Sequence, residues 1–347
     1  MPDARQPDQP GTGAGAPPDV SVVLITYNHE RLVRQALDSV LAQEGVSIEL
    51  LIGEDCSTDG TRRIVEEYAR RDPDRIRLFL SPRNLNTNEV MTRPIAAARG
   101  RYVALLDGDD YWTSPHKLRT QVEQLDRRPE LAISFHNVTV VYDDGAPSHP
   151  YYLAEPTPRV SRALPAPVST LADVAPGNFL QTCGVMFRRG LFPAFPDWYD
   201  GFVVGDWPLH VLNAEHGDIG YLDETLGAYR VHAGGLWSAA MSRHLRRDWV
   251  DALADAYHVI DRHLGGRFSG VLMERRRALY LEAAIAQLGR GRLRDGVHHA
   301  RRYLAASPER RAAPLGGLLR AAVRGTRLRA GAVAAGIVRR GAAPRAP

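Results

Sequence analysis

The sequence is poor in cysteine and in long apolar runs. Its 347 residues include two cysteines, Cys56 and Cys183, which match no metal-ligand spacing and are expected to be reduced thiols of a cytosolic protein. No stretch approaches the roughly eighteen consecutive apolar residues of a membrane-spanning helix. Residues 1–18 lack the apolar core of a secretory signal and are expected to form a disordered leader. A hydrophobic fraction of 44% excludes a wholly disordered chain, a collagen and a disulfide-stapled mini-protein.

Lysine is nearly absent, and the positive charge is concentrated at the C-terminal end. Lys117 is the one lysine, and the formal net charge is +4. Residues 308–347 contain nine arginines and one acid, a net charge of +8, which leaves the other 307 residues at −4. Because no nucleic-acid-binding motif is present, we expect no nucleic-acid partner. Leucine and arginine at helical spacing in this tail permit a helix on an anionic membrane surface, and a solvated tail is the alternative.

Strand and helix patterns alternate through the first 140 residues. Strands are predicted over Val20–Thr26, Ile48–Glu54, Ile76–Leu80 and Tyr102–Leu106, and helices over Glu30–Gln43, Thr61–Arg71 and Glu89–Ala98. Strands separated by one helix each are expected to be parallel, with right-handed crossovers. The pattern predicts an open, doubly wound α/β sheet whose ligand site lies at the carboxyl ends of the strands.

The rest of the chain is less regular. Pro147–Pro176 is rich in proline and aperiodic, which predicts a long active-site loop or insertion. Asn178–Arg188 has strand character, and Arg243–Ser307 has helical character. Within the helical region, Ala278–Leu304 predicts a helical hairpin broken at Gly289–Gly291.

Polar clusters follow three of the predicted strands. They read Thr26-Tyr27-Asn28, Glu54-Asp55-Cys56-Ser57-Thr58-Asp59 and Asp107-Gly108-Asp109-Asp110. Three carboxylates within four residues repel one another unless a positive charge neutralises them, and hard oxygen ligands of this kind suit Mg²⁺ or Mn²⁺. A solvated acidic turn is the alternative for the last cluster.

These three motifs, in this order and spacing, resemble the nucleotide-sugar half of family 2 glycosyltransferases, over Val20–Ser238. The resemblance implies the GT-A fold, a Rossmann-like, mostly parallel central sheet flanked by helices, followed here by a C-terminal helical extension. It also implies a metal-dependent, inverting enzyme of hexosyltransferase type with a DXD motif. The expected domains are a leader over 1–18, a GT-A domain over 19–240, a helical extension over 241–307 and a basic tail over 308–347.

The resemblance also implies a role for individual residues. Donor-binding residues would be Thr26, Tyr27, Glu54, Asp55, Arg93, Asp107, Gly108 and Arg230. Metal ligands would be Asp109, Asp107 and His232, and acceptor-binding residues would be Trp207, Asp110 and Trp237. The sequence departs from the family pattern at Glu54, where the family often has Asp, and at Pro94, where it often has Asn.

The second half of the chain supplies the expected catalytic base. Asp206 stands where the family has an acidic residue that takes the proton of the acceptor hydroxyl, and a helix N-cap is the alternative role. His232, in a segment resembling the family's late YR-x-H, is expected to bind metal or phosphate, with a structural role as the alternative. Trp207 and Trp237 are expected to be sugar platforms or core residues.

The expected reaction moves a sugar from a UDP- or dTDP-sugar to an acceptor hydroxyl of a glycan, lipid-linked or small-molecule acceptor. Such a reaction would serve cell-surface polysaccharide or natural-product biosynthesis. The enzyme would be cytoplasmic, with a peripheral contact at the inner face of the cell membrane through its tail. Two alternatives remain: a catalytically impaired scaffold protein at the membrane, and a sugar nucleotidyltransferase. The latter normally has a glycine-rich loop after strand one, where this chain reads TYNHER at Thr26–Arg31.

Overall fold

The computed structural model describes residues 16–155, 157, 162–235 and 247–306. The chain divides into two compact units, Met1–Gly235 and Leu236–Pro347, and each is described by itself. Trp237, the basic tail and most of the expected leader lie outside the described residues.

The first part of unit one confirms the predicted alternation of strands and helices. The elements are β1 (Val20–Thr26), α1 (Val33–Leu41), β2 (Ile48–Glu54), α2 (Thr61–Arg71), β3 (Ile76–Leu80), α3 (Glu89–Ala96) and β4 (Tyr102–Asp107). Strand β1 pairs in parallel with β2 on one side and with β4 on the other, and β2 pairs in parallel with β3. These strands read as continuous apolar runs because helices cover both faces of a parallel sheet.

Helix α1 is shorter than predicted from the apolar spacing. It begins at Val33 rather than Glu30, because the residues before it form a turn fastened to the loop after β2. The backbone N–H of Asn28 donates to Ser57 Oγ at 3.0 Å, and that of Glu30 donates to Asp59 Oδ2 at 3.1 Å. Asn28 itself has a left-handed φ of 55°, which helical backbone does not permit.

The second part of unit one extends the same sheet. Its elements are β5 (Tyr111–Trp112), α4 (Lys117–Arg127), β6 (Leu131–Tyr142), β7 (His149–Pro150), β8 (Val168–Ser169), α5 (Leu171–Val174), a 3₁₀ turn (Thr182–Gly184), β9 (Met186–Arg188), α6 (Asp206–Ala214) and β10 (Asp218–Val231). The strand order across the described sheet is β3-β2-β1-β4-β9-β6-β10-β5, with β7 beside β6 and β8 beside β10. Long strands β6 and β10 are parallel, and short β9 joins β4 to β6 in antiparallel pairing. The result is the expected GT-A-like, mostly parallel α/β sheet.

Two expectations for this part were wrong. Pro147–Pro176 is not wholly aperiodic, since β7, β8 and α5 lie within it. The strand predicted over Asn178–Arg188 is confined to Met186–Arg188, because Thr182–Gly184 turns tightly. The indole N–H of Trp112 donates to Cys183 O at 2.8 Å, so a distant side chain holds the turn. Such two- or three-residue strands arise from tertiary pairing rather than from local pattern.

Unit two contains three helices in its described part. They are α7 (Arg247–His263), α8 (Ser269–Gly289) and α9 (Leu293–Ala305). Their shared apolar core consists of Val250, Ala254, Tyr280, Ala283 and Tyr303. The predicted hairpin is confirmed: α8 and α9 join through a short turn in which Gly291 has a φ of 72°. Among the helices described, none combines the length and the apolar character that a membrane crossing requires.

Candidate active site

The three polar clusters meet at the carboxyl edge of the sheet, as predicted. In the strand register Thr26 lies opposite Glu54, and Ile25 lies opposite Asp107, so the ends of β1, β2 and β4 are level. The backbone N–H of Asp55 donates to Thr26 O at 3.1 Å, which continues the pairing into the loops. The parallel topology therefore brings Thr26 and Asp107, which are 81 residues apart in sequence, to one edge.

The turn after β4 depends on a glycine. The Gly108 N–H donates to Ile25 O at 2.8 Å, which draws the turn against the end of β1. A Cβ at Gly108 would lie 2.6 Å from Thr26 Oγ1 and 2.9 Å from His29 Nδ1. No side chain fits there, so this residue sets how closely the acidic turn approaches β1.

Asp109 is the centre of a carboxylate and imidazole cluster. Its Oδ2 lies 3.0 Å from His232 Nε2 at the end of β10, and 3.6 Å from His29 Nε2 in the turn after β1. Burial alone would raise the pKa of Asp109, but the hydrogen bond from His232 and the two nearby imidazoles lower it below its usual value. The hydrogen bond to Asp109 in turn raises the pKa of His232, whereas burial lowers that of His29.

His29 was not among the site residues predicted from the sequence. Thr26 and Tyr27 of the same segment were predicted to bind the donor, and His29 was not. The signal that would have found His29 is its place three residues beyond a strand whose neighbour ends in an acidic turn, an edge where ligands collect.

The other two acidic residues of the turn, Asp107 and Asp110, both have raised pKa values. Burial, followed by the charges of Asp109 and Asp206, raises the pKa of Asp107 well above its usual range. Burial, followed by Asp109 and Asp107, does the same for Asp110. Ligand atoms of all three aspartates lie within 4.8 Å of one another, as do those of His29, Asp109 and His232. The raised pKa values mean that these crowded carboxyl groups favour the protonated form in the absence of a positive charge. A hard divalent cation would neutralise the ionised carboxylates in place of those protons.

The Asp110 side chain is buried beneath the acidic turn's surface and bonded to β10, so it does not suit the acceptor contact expected from the sequence. Its side chain is 1% exposed, and its Oδ1 accepts the backbone N–H of Arg230 at 2.7 Å. The Arg230 guanidinium donates to Asp109 O and to Gln35 Oε1, each at 2.7 Å. Asp110 and Arg230 therefore fasten β10, and with it His232, to the acidic turn.

Asp206 is the first residue of α6, and Gly205 rather than Asp206 occupies the N-cap position. Asp206 Oδ2 accepts a hydrogen bond from Asn178 Nδ2 at 2.6 Å, and Oδ1 accepts the Trp207 N–H at 2.8 Å. Burial raises the pKa of Asp206, which makes its carboxylate a stronger proton acceptor than that of a solvated aspartate. Its charge is among the causes of the raised pKa of Asp107, so the two carboxylates belong to one electrostatic environment.

Asn88 and Thr92 hold the segment before α6 to α3. Asn88 Nδ2 donates to the carbonyls of Tyr199 at 2.9 Å and Phe202 at 3.2 Å, and Thr92 Oγ1 donates to Asp200 Oδ1 at 2.9 Å. These contacts fix where Asp206 begins its helix. Asn88 and Asn178 were both missed in the sequence, because their partners are distant along the chain.

The other residues expected to bind the donor lie after β1, at the end of β2 and in the loop that follows it, and in α3. Glu54 is fully buried, accepts the Ser57 N–H at 2.6 Å and pairs with Arg62, so its carboxylate shapes the loop. Asp55 is nearly buried, and its Oδ1 accepts the Leu85 N–H at 2.8 Å. Tyr27 is half-buried at the end of β1. Arg93 is half-buried in the last turn of α3.

Trp207 is a core residue. Its side chain is 3% exposed, and its indole N–H donates to Val174 O at 2.9 Å. A buried ring cannot stack on a sugar, so the expectation of a sugar platform was wrong for this residue. The physical reason is that α6 is buried all round, from Trp207 to Ala214.

The fold belongs to a known class. Over 84% of this chain and 82% of the other, the structure is similar to Staphylococcus aureus TarS 1–349 in complex with UDP-GlcNAc, with a TM-score of 0.54 and 18% identity. It is also similar to the mannosyltransferase PcManGT from Pyrobaculum calidifontis in complex with GDP-Man and Mn²⁺, over 95% and 90% of the chains, with a TM-score of 0.53 and 18% identity. The fold is therefore the GT-A-like α/β fold of glycosyltransferases.

The sequence comparisons give the family. The model for glycosyl transferase family 2 matches residues 21–190. The chain is 32% identical to the succinoglycan biosynthesis protein ExoO of Rhizobium meliloti, over 69% of this chain and 67% of that protein. It is 40% identical to an uncharacterized protein of Mycobacterium tuberculosis, over 66% of this chain and 63% of that protein's length. This chain belongs to glycosyl transferase family 2.

Proposed function

We propose that this chain is a metal-dependent, inverting glycosyltransferase that moves a sugar from a nucleoside-diphosphate sugar to an acceptor hydroxyl. The observation that carries the proposal is the presence of two different groups that act on the acidic turn after β4. Asp109, with His232 and His29, offers cation ligands, and the half-buried carboxylate of Asp206 acts electrostatically on Asp107. A leaving diphosphate needs a positive charge beside it, and an attacking hydroxyl needs a base close to it.

The proposed donor is a UDP- or dTDP-sugar. Tyr27 would stack near the nucleobase, Asp55 would hydrogen-bond to it, and Arg93 would lie near the base or diphosphate. The two similar structures carry UDP-GlcNAc and GDP-Man, which supports a nucleotide-sugar donor as a class.

The proposed cation is Mg²⁺ or Mn²⁺, held by Asp109, Asp107 and His232. A mixed set of carboxylate and imidazole ligands favours Mn²⁺ of the two, and PcManGT is described with Mn²⁺. When bound, the cation would supply positive charge for the leaving diphosphate. Arg230 holds the ligands in place, since its backbone and guanidinium bind Asp110 and Asp109.

Asp206 is proposed as the base for the acceptor hydroxyl. Its raised pKa strengthens it as a proton acceptor, while the Asn178 amide fixes the direction of its Oδ2. One displacement from the face opposite the leaving group inverts the anomeric carbon. Asp206 would then hold the acceptor's proton until solvent takes it.

The acceptor is proposed to be a hydroxyl of a growing polysaccharide, free or lipid-linked, because ExoO is named for succinoglycan biosynthesis. A small-molecule acceptor is the alternative. The basic tail over 308–347 would bring the enzyme to the inner face of the cell membrane if the acceptor is lipid-linked. Deletion of the tail tests this part, and unchanged binding to anionic vesicles would contradict it.

The experiment is a thermal-shift screen of nucleoside-diphosphate sugars with and without Mn²⁺. We expect one donor to raise Tm only with the metal, and Asp109→Asn to abolish the shift. Asp74→Asn is the matched control, because Asp74 is exposed just before the amino end of β3. A metal-independent shift that survives Asp109→Asn would contradict the proposal.

Two further outcomes separate the alternatives. Donor binding without release of nucleoside diphosphate, with every acceptor tried, would favour the scaffold protein. Formation of a nucleoside-diphosphate sugar from a sugar 1-phosphate and a nucleoside triphosphate would favour the nucleotidyltransferase.

A further inference from the structure

A second cluster of metal-ligand side chains lies in unit two. His298 Nε2 on α9 is 2.8 Å from Asp251 Oδ2 on α7, and His299 follows His298 on the same helix. One ligand atom from each of Asp251, His298 and His299 lies within 4.8 Å of the other two. Ligands at bond lengths of about 2.0 Å around a tetrahedral metal are about 3.3 Å apart, so modest side-chain movement brings these atoms to coordination distance.

His299 gives an independent sign of a ligand. Its side chain is 0% exposed, and among the described residues neither of its ring nitrogens has a hydrogen-bond partner. Leaving a buried polar group unpaired costs free energy, so native structures rarely do so without a reason. A hydrogen-bonded pair between His298 and Asp251 leaves this third side chain unexplained, whereas a metal ion would use all three.

The surroundings resemble the outer environment of a metal site. Arg302 Nε lies 3.5 Å from Asp251 Oδ1 in an ion pair, and His298 Nε2 contacts the other carboxylate oxygen, Oδ2. The Tyr280 ring stacks on the His299 ring with centroids 6.3 Å apart, which gives an apolar wall. Asp295 on α9 adds a second negative charge, although it also pairs with Arg247 at 3.8 Å.

We propose that Asp251, His298 and His299 form a site for a transition-metal ion of the Zn²⁺ type, separate from the donor site. Imidazole ligands favour Zn²⁺, Co²⁺ or Ni²⁺ over Mg²⁺, and three protein ligands leave a fourth position for water. The ion would join α7 to α9, which are 47 residues apart at this contact. Because the ion would bind the folded helices and not the unfolded chain, its binding would stabilise unit two.

The test is Zn²⁺ titration of the full-length, chelator-stripped protein by calorimetry. An Asp109→Asn, His232→Asn double variant, which lacks the central carboxylate and one imidazole of the donor site, serves as the parent. We expect this parent to bind one equivalent of Zn²⁺, and Co²⁺ in its place to give the visible absorption of a nitrogen and oxygen site. His298→Asn and Asp251→Asn should each weaken Zn²⁺ binding by at least about tenfold.

His258→Asn is the matched control, since His258 is exposed on α7, and it should leave the Zn²⁺ equivalent intact. His299→Asn tests the buried ligand, and far-UV circular dichroism identifies any variant that unfolds. His298 is half-buried, so its variant keeps the test valid if the His299 variant fails to fold. Absence of Zn²⁺ binding by the parent, or equal binding by the folded His298 and Asp251 variants, overturns the proposal.

Discussion

His232 Nε2 lies 3.0 Å from Asp109 Oδ2, a contact between residues 123 positions apart in sequence. It joins the end of β10 to the acidic turn after β4, which are the two parts of the chain that the proposed cation would link. Two residues before His232, the backbone N–H of Arg230 donates to Asp110, and this second contact keeps the same two parts in register. The contact brings a segment near the end of unit one to a cluster that begins at the end of β1.

Replacing His232 should weaken the proposed metal site. His232→Asn removes an imidazole ligand beside Asp109, so Mn²⁺-dependent donor binding should weaken by at least about tenfold. Calorimetric titration of donor at fixed Mn²⁺ measures the change. His216→Asn is the control, because His216 is exposed after α6, at the opposite end of β10. Unchanged Mn²⁺ dependence in the His232 variant would remove this residue from the ligands.

Gly108→Ala should lower both stability and activity. The added Cβ would lie 2.6 Å from Thr26 Oγ1, and overpacking of this kind costs about 1–3 kcal/mol of unfolding free energy. Urea denaturation measures the change. Gly201→Ala is the control, since a Cβ there meets nothing within 4 Å among the described residues. Equal stabilities of the two variants would show that the turn relaxes freely.

Asp110→Asn should affect the donor side rather than the acceptor side. The buried Asp110 carboxylate fastens β10, so its loss should weaken metal-dependent donor binding by about tenfold and leave the acceptor KM unchanged. Steady-state kinetics with each substrate varied in turn separates the two effects. A raised acceptor KM with normal donor binding would restore the contact first expected from the sequence.

The acid limb of the pH profile should report Asp206. The base works only when ionised, so kcat/KM should fall as the pH falls through its raised pKa. The Asn178 amide favours the ionised form and lowers that pKa. Asn178→Ala should therefore move the acid limb to higher pH and reduce kcat/KM by about tenfold on that limb. An unmoved limb in a folded Asn178 variant would separate Asn178 from the base.

The sequence predicted the first half of the fold well, for a physical reason. The runs of β1, β2 and β4 are buried on both faces, and the helices between them have one apolar side, so local pattern specifies each element. Short β9 and the turn before it are set by contacts such as Trp112 with Cys183, which local pattern does not contain.

The candidate site shows the same division. Parallel topology alone places Thr26, Glu54 and Asp107 at one edge, so their meeting could be predicted. His29, Asn178 and Asn88 could not, because each acts on a partner whose position depends on tertiary packing. From the sequence, Trp207 could be a sugar platform or a core residue, and the burial of α6 shows that it is a core residue.

The most direct test of the central claim is ¹H NMR of the sugar first released from an α-linked nucleoside-diphosphate sugar by the purified protein with Mn²⁺. Water then replaces the acceptor, and the anomer formed reports the displacement. The account predicts the β-anomer first from the wild type, and at least about 100-fold slower release from Asp206→Asn, with Asp197→Asn as the exposed control. Release of the α-anomer first, or an undiminished rate in the folded Asp206 variant, would contradict the account.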